Sequence, residues 1–145
     1  APYTIEFNCR FGDPETQPIM SRLDTDLVVL IEAAIDGKLN EVNAEWNPQT
    51  AVGVVLAAEN YPETPKKGDV ISGLEEANQI GKVFHAGTAV NEKNQVITNG
   101  GRVLCVVGLG DDVAAAKAKA YAALEKVSFD GMQYRKDIAD KAIKR

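Results

Sequence analysis

Arg102-Val103-Leu104-Cys105-Val106-Val107-Gly108-Leu109, followed at once by Gly110-Asp111, is the stretch on which the fold turns. A continuous apolar run of strand length, closed by a turn residue, reads as a buried strand. Gly110-Asp111 then opens a helix that runs to about residue 127. Asp111 and Asp112 at its start and Lys126 near its end suit the helix dipole. Val113, Ala116, Ala120, Leu124 and Val127 recur as its buried stripe, and the alanines allow close approach to a sheet. A buried strand feeding a small-faced helix predicts an α/β (α+β) core.

The same stretch contains Val107-Gly108-Leu109-Gly110-Asp111, which starts a helix after a strand as a dinucleotide fingerprint does. The third glycine is absent, because Val113 stands there. Two aspartates occupy the place where pyrophosphate would dock, and like charges would repel. Nucleotide binding is therefore rejected here, and the glycines read as turn geometry at the helix start.

Working outward, residues 51–58 form a second buried strand and 60–68 a turn-rich loop. Residues 69–71 read as a short edge strand and 75–79 as a single helical turn. Residues 82–90 and 95–98 read as a hairpin joined by 91–94. Residues 136–144 suit a short terminal helix. The chain divides near Asn47-Pro48, giving segments 1–46 and 47–145. Upstream, Pro18 is tolerable only in a first helical turn, which places a helix start near Glu15 or Thr16. A second helix is expected over 24–36, with Leu27, Leu30, Ile31, Ala34 and Ile35 at helical spacing. Asp24 or Thr25 is its cap and Gly37 its stop.

The chain has 145 residues, of which 45% are hydrophobic, enough for one compact core or a core plus an appendage. Its 16 basic and 21 acidic residues give a net charge of −5. That balance argues against a nucleic-acid partner, which calls for a basic face. No apolar run has transmembrane length. Cys9 and Cys105 both sit in strand-like apolar surroundings and are expected as buried free thiols of a reducing compartment. With one histidine, His85, and no Cys-x-x-Cys spacing, a zinc site is not expected.

The densest chemistry lies in Glu6-Phe7-Asn8-Cys9-Arg10-Phe11-Gly12-Asp13-Pro14-Glu15-Thr16-Gln17. On a strand over residues 3–8, side chains alternate faces. Ile5 and Phe7 would then pack while Thr4, Glu6 and Asn8 share the opposite face. A carboxylate and an amide oxygen side by side at a strand's C-terminal end, next to a guanidinium, suit a magnesium–phosphate site. Against this stands a solvated strand end followed by a turn. Arg10 can instead pair with Asp13 or Glu15, and Asp13 can serve an Asx turn.

The run from Arg10 to Gln17 resembles the signature octapeptide of the phosphoribosylamine–glycine ligase family, and Glu6-Phe7-Asn8 resembles the metal strand of the ATP-grasp superfamily. Lys82-Val83-Phe84-His85-Ala86-Gly87-Thr88, Thr98-Asn99-Gly100-Gly101-Arg102-Val103-Leu104 and Tyr134-Arg135-Lys136-Asp137-Ile138 are similar to blocks of that family's C-terminal domain. The resemblance implies that residues 1–46 end an ATP-grasp domain and that 47–145 form a small mixed or antiparallel sheet domain with packed helices. It implies Glu6 and Asn8 as ligands of Mg2+ (or Mn2+), with ATP as co-substrate. Arg10 would face the acyl phosphate of glycine or the phosphoribosylamine, and Asp13 would orient an amine. Arg102 would reach the ribose phosphate, with Gly100, Gly101 and Thr88 near the substrate, and against this stands a tight turn with a surface arginine; His85 is expected to be a packed or hydrogen-bonded core residue and not a catalyst.

What the resemblance implies is a cytoplasmic enzyme of purine biosynthesis, about three times this length. Its small-molecule partners are ATP, glycine and phosphoribosylamine, and it has no membrane or nucleic-acid partner. This chain would be its C-terminal third, inactive without the N-terminal part of the same enzyme. Two other readings remain open: another ATP-grasp carboxylate–amine ligase, and a non-catalytic docking module.

Overall fold

In a computed structural model, which describes residues 3–7 and 9–144, the apolar run becomes the middle strand of a three-stranded sheet. β1 (Thr50–Ala57) and β2 (Lys82–His85) flank β5 (Arg102–Gly110), both antiparallel to it. Neighbours on both edges and layers on both faces explain why β5 is apolar without alternation. Between β1 and β2 lies α3 (Leu74–Asn78), and between β2 and β5 lies a separate ribbon of β3 (Thr88–Val90) with β4 (Val96–Thr98).

Helix α4 (Val113–Leu124) follows β5 and covers one face of the sheet. Asp112 caps it, accepting from the Ala115 amide at 2.7 Å. Ala116, Ala120, Ala123 and Leu124 are fully buried against Val52, Val54, Leu56, Leu104 and Val106. Each of the larger side chains contributes about 1.5–3 kcal/mol by leaving water. Gly108 and Gly110 are what lets α4 approach so closely. A Cβ on Gly108 would lie 3.0 Å from Ala120 Cα, and one on Gly110 would lie 2.7 Å from the Ala115 carbonyl carbon. Neither glycine has a positive φ. The expectation of turn geometry is thus corrected: these glycines serve helix–strand packing.

The opposite face of the sheet carries Gly53, Val55, Cys105 and Val107, as the register requires. Helix α1 (Thr16–Arg22) rests there, with Pro18 against Gly53, where a Cβ would come within 2.9 Å of the proline ring. Glu15 is its N-cap residue, which agrees with the expected start. Arg22 binds the Asn47 carbonyl through Nε and Nη2 at 3.2 and 3.1 Å, so the strand that follows Pro48 is tied back to α1.

Several expectations change. Residues 3–7 form no strand: no described strand runs beside them, and Ile5 and Phe7 are 97% and 84% exposed rather than packed. An isolated extended segment leaves its backbone groups to water and gains nothing from alternation. Helix α2 (Leu27–Ile35) is capped by Asp26, whose carboxylate accepts from the Val28 amide, and not by Asp24 or Thr25. Its apolar side is largely open, with Ile31 and Ile35 exposed. The hairpin begins only at Thr88, because Ala86 and Gly87 turn the chain out of the large sheet after β2. Residues 69–71 follow β4 through isolated bridges, with the Ile71 amide donating to the Val96 carbonyl at 2.9 Å. The long helix ends at Leu124 and the terminal one, α5 (Asp140–Ile143), is brief. Both cysteines are free, but Cys9 is exposed.

Candidate functional site

A single extra residue in β5 decides where Arg102 points. The β1–β5 pairing passes from Leu56↔Leu104 to Ala57↔Arg102, leaving Val103 unpaired. By simple alternation Arg102 would share a face with Leu104 and Val106, under α4. The bulge returns it to the face of Gly53, Val55 and Ala57, and such re-aiming is a common use of bulges. Val103 is instead fully buried in the core.

On that face Arg102 meets the loop before α1. Its Nη2 lies 3.1 Å from Asp13 Oδ2, and its Nη1 donates to the Asp13 carbonyl at 3.4 Å. Asp13, expected to pair locally with Arg10 if it paired at all, is held by a residue 89 positions away. Arg10 donates to the Phe11 carbonyl at 3.1 Å. The loop is braced by Thr16, whose hydroxyl and amide both donate to the Gly12 carbonyl at 2.5 and 3.0 Å.

Beside this pair lies a cleft of about 420 Å³ whose walls include Pro14, Tyr61, Arg102, Gln133, Tyr134 and Arg135. Its floor is the small-residue stretch Gly53, Val55 and Ala57 of β1. Ala57 pairs with Arg102 on one side and exchanges two backbone hydrogen bonds with Gln133 on the other, at 2.7 and 2.9 Å. Arg102 and Gln133 therefore sit across one strand from each other, roughly 10 Å apart by two strand spacings. Arg135 is gripped by Asp137, with Nε and Nη2 at 2.9 and 2.7 Å from its two oxygens. That pairing raises the arginine's pKa and lowers the aspartate's. Tyr121 of α4 fixes the same segment. Its hydroxyl donates to the Arg135 carbonyl at 2.6 Å and accepts from the Ile138 amide at 3.3 Å.

The other expected site residues lie elsewhere. Gly100 crosses Gly87 backbone to backbone, so a Cβ on Gly87 would meet Gly100 Cα at 2.7 Å. Gly101 lies under the Tyr61 ring, where a Cβ would come within 2.8 Å of Cε2. Both glycines are used in packing. Thr88 Oγ1 lies 3.1 Å from His85 Nδ1, and neither residue lines the cleft. Glu6 is exposed, and Asn8 lies outside the described residues. Among the described residues no group of three or more His, Cys, Asp or Glu side chains is placed to hold a metal. Magnesium is commonly held by one or two carboxylates with phosphates and water, so Glu6 fits that donor set by type. Cys105 lies beneath the loop. Burial, and then the negative charge of Asp13, push its thiol up to about 12.

Sequence reasoning passed over Tyr61, Gln133 and Arg135. Arg135-Lys136-Asp137 carries a signal that could have found one of them: a cation and a carboxylate two residues apart hold each other in a fixed orientation. No helix is long and apolar enough to cross a membrane among the described residues.

Residues 51–141 match the profile of the phosphoribosylglycinamide synthetase C-domain family. A phosphoribosylamine–glycine ligase of Neisseria meningitidis serogroup B is 84% identical over 145 residues, covering 100% of this chain and 34% of that protein. The ligase of that name from Ralstonia nicotianae is 56% identical over 144 residues, covering 99% of this chain and again 34% of the other. The crystal structure of a phosphoribosylamine–glycine ligase from Thermotoga maritima superposes with a TM-score of 0.77 at 41% identity, covering 95% of this chain and 34% of that one. The chain thus spans about a third of the length of these relatives.

Proposed function

This chain belongs to the phosphoribosylglycinamide synthetase C-domain family, and from that membership we propose that it forms the C-terminal third of a phosphoribosylamine–glycine ligase. One observation carries the reading: identity of 84% with a protein of that name runs the whole length of the chain. The proposed reaction joins glycine to 5-phosphoribosylamine at the expense of ATP, in purine biosynthesis in the cytoplasm. The proposed division keeps residues 1–46 with an ATP-grasp domain and 47–145 as the C-terminal domain.

In this reaction a glycine carboxylate oxygen attacks the γ-phosphorus of ATP and ADP leaves. The amine nitrogen of phosphoribosylamine then attacks the glycyl carbonyl carbon, and phosphate leaves with the former carboxylate oxygen. Arg10 neutralises the acyl phosphate, which a planar guanidinium can contact at two oxygens. Asp13 orients the attacking amine, and Arg102 holds the ribose phosphate while bracing Asp13. The ion pair between the last two supports this assignment, because it links the amine-orienting loop to the phosphate-binding strand. Glu6 and Asn8 are the proposed donors to Mg2+ or Mn2+, which would neutralise triphosphate charge when bound. Thr88, Gly100 and Gly101 are the further residues proposed near the substrate, although they lie outside the cleft.

The test is glycine-dependent ADP release by the full-length protein, with the 145-residue chain alone expected to release none. Glu6→Ala should lower turnover at least a hundredfold while leaving the urea midpoint of this chain unchanged, since Glu6 is exposed. Absence of glycine-dependent turnover in the full-length protein overturns the activity, and full turnover in Glu6→Ala overturns the metal role.

A further inference from the structure

Residues 60–68 leave the large sheet after β1 and return at Asp69. Both ends of this loop are in left-handed backbone, with φ 64° at Asn60 and 95° at Gly68. Asparagine and glycine are the residues that enter that region most readily. Pro62 and Pro65 stiffen the stretch between them. A stiff segment between two adaptable ends is built to move as a unit. Its own backbone does little to hold it down. The amides of Tyr61 and Glu63 donate to the Ala58 and Asn60 carbonyls, while those of residues 66 and 68 donate to Glu59 and Thr98. Between these points two rings rest on Gly101, where an added Cβ would lie 2.8 Å from Tyr61 Cε2 and 3.1 Å from Pro65 Cγ. Tyr61 is still exposed, so the seat is shallow.

The fastening is ionic. Lys66 Nζ lies 2.5 Å from Asp130 Oδ2, 3.0 Å from Asp69 Oδ1 and 3.7 Å from Glu59 Oε2. One ammonium thus gathers carboxylates from the end of β1, from the far side of the loop and from the turn after α4. Its bonds to Asp130 and Asp69 raise the lysine's pKa well above the ordinary value, so it stays charged. Asp69 depends on it most: its side chain is 15% exposed, and its Oδ2 is buried with no hydrogen-bond partner. Without the ammonium, a largely buried carboxylate would stand beside two others with no counter-charge. Such a group is costly until water reaches it, and moving the loop aside admits water.

We propose that residues 61–67 are a strap that swings between Asn60 and Gly68, and that Lys66 is the latch that holds it shut over the lead-in to β5. Loss of the lysine's charge opens the strap and lifts the Tyr61 ring off Gly101, one residue before Arg102. The latch goes beyond the ligase reading and does not depend on it.

The experiment compares the 145-residue chain with Lys66→Met, which keeps an unbranched stem without the charge, and with Lys66→Arg, which keeps the charge. Hydrogen exchange at the amides of residues 66 and 68 reads the opening of the strap. Cleavage after Glu63 by a glutamyl endopeptidase reads it independently, and cleavage after Glu125, exposed at the end of α4, is the reference. In the native chain, raising salt from about 0.05 to about 0.5 M should speed exchange and Glu63 cleavage by about threefold, because these ion pairs are partly exposed. Lys66→Met should speed both by about three- to tenfold at low salt and abolish the salt response. Lys66→Arg should stay within about twofold of the native chain, and Glu125 cleavage should not change in either variant. If Lys66→Met does not fold, the salt response of the native chain, set against Glu125, decides the matter. Unchanged exchange and Glu63 cleavage in Lys66→Met, equal acceleration after Glu125, or a native strap indifferent to salt each overturns the proposal.

Discussion

Replacing Gly108 by alanine tests the reading that this glycine exists for packing. The added Cβ would stand less than 3.0 Å from the Ala116 carbonyl oxygen and the Ala120 amide nitrogen, and 3.0 Å from Ala120 Cα. Carbon contacts are comfortable at about 3.5–4.0 Å, so α4 must withdraw by roughly 1 Å. All the close atoms are backbone, and no rotamer change can relieve them. Withdrawal loosens Ala116, Ala120, Ala123 and Leu124 together, each fully buried on the sheet. A gap of that size forfeits about a quarter to a half of each contact, and overpacking of this kind costs about 2–3 kcal/mol. With a urea slope of about 1–3 kcal/mol per molar, the unfolding midpoint should fall by roughly 0.7–3 M, followed by far-ultraviolet circular dichroism. Adding Ala120→Gly should not rescue the variant, because the clash is with backbone atoms and not with the Ala120 side chain. A midpoint shift below about 0.3 M would refute the reasoning. It would return Gly108 to a turn role, which its ordinary φ does not require.

Three further outcomes can be checked. In the native chain Cys9 should react with a thiol reagent at pH 8 within seconds, while Cys105 reacts only when the chain unfolds; two fast thiols would contradict the burial of Cys105. Because that thiol is raised from 9.0 to about 12, the unfolded state loses its proton first. Stability should therefore decline as pH rises from about 9 to 12, a slope that Cys105→Ala should reduce. For the pair of Asp13 and Arg102, a double-mutant cycle with Asp13→Asn and Arg102→Gln should give a coupling of about 0.2–1 kcal/mol, shrinking with salt, because both side chains are nearly half exposed. A coupling above about 2 kcal/mol would mean that the pair is sealed from water.

Much of the sheet layer was legible along the chain. The unalternating run of β5, the alanine stripe of α4 and the strand at β1 are local patterns, and each formed where its period placed it. The hairpin was half legible. Residues 82–90 look like one strand, but Ala86 and Gly87 split it between two sheets, a division that depends on which partner each half finds. At the candidate site the octapeptide was visible as chemistry, yet its partner was not. Asp13 reads as a residue with near neighbours in Arg10 and Glu15, whereas the structure joins it to Arg102.

The sequence by itself determined which segments would be buried, because apolar content and spacing are properties of the chain alone. It also determined the close helix–strand contact, since only glycine and alanine leave that room. Tertiary structure decided which way the functional side chains face. Residues 3–7 stay unpaired because pairing needs a neighbouring strand, and none is described beside them. Arg102 leaves the core face because pairing with Ala57 skips Val103, a register visible only when two strands lie together. Alternation is local, but the point at which it slips is set by the partner strand.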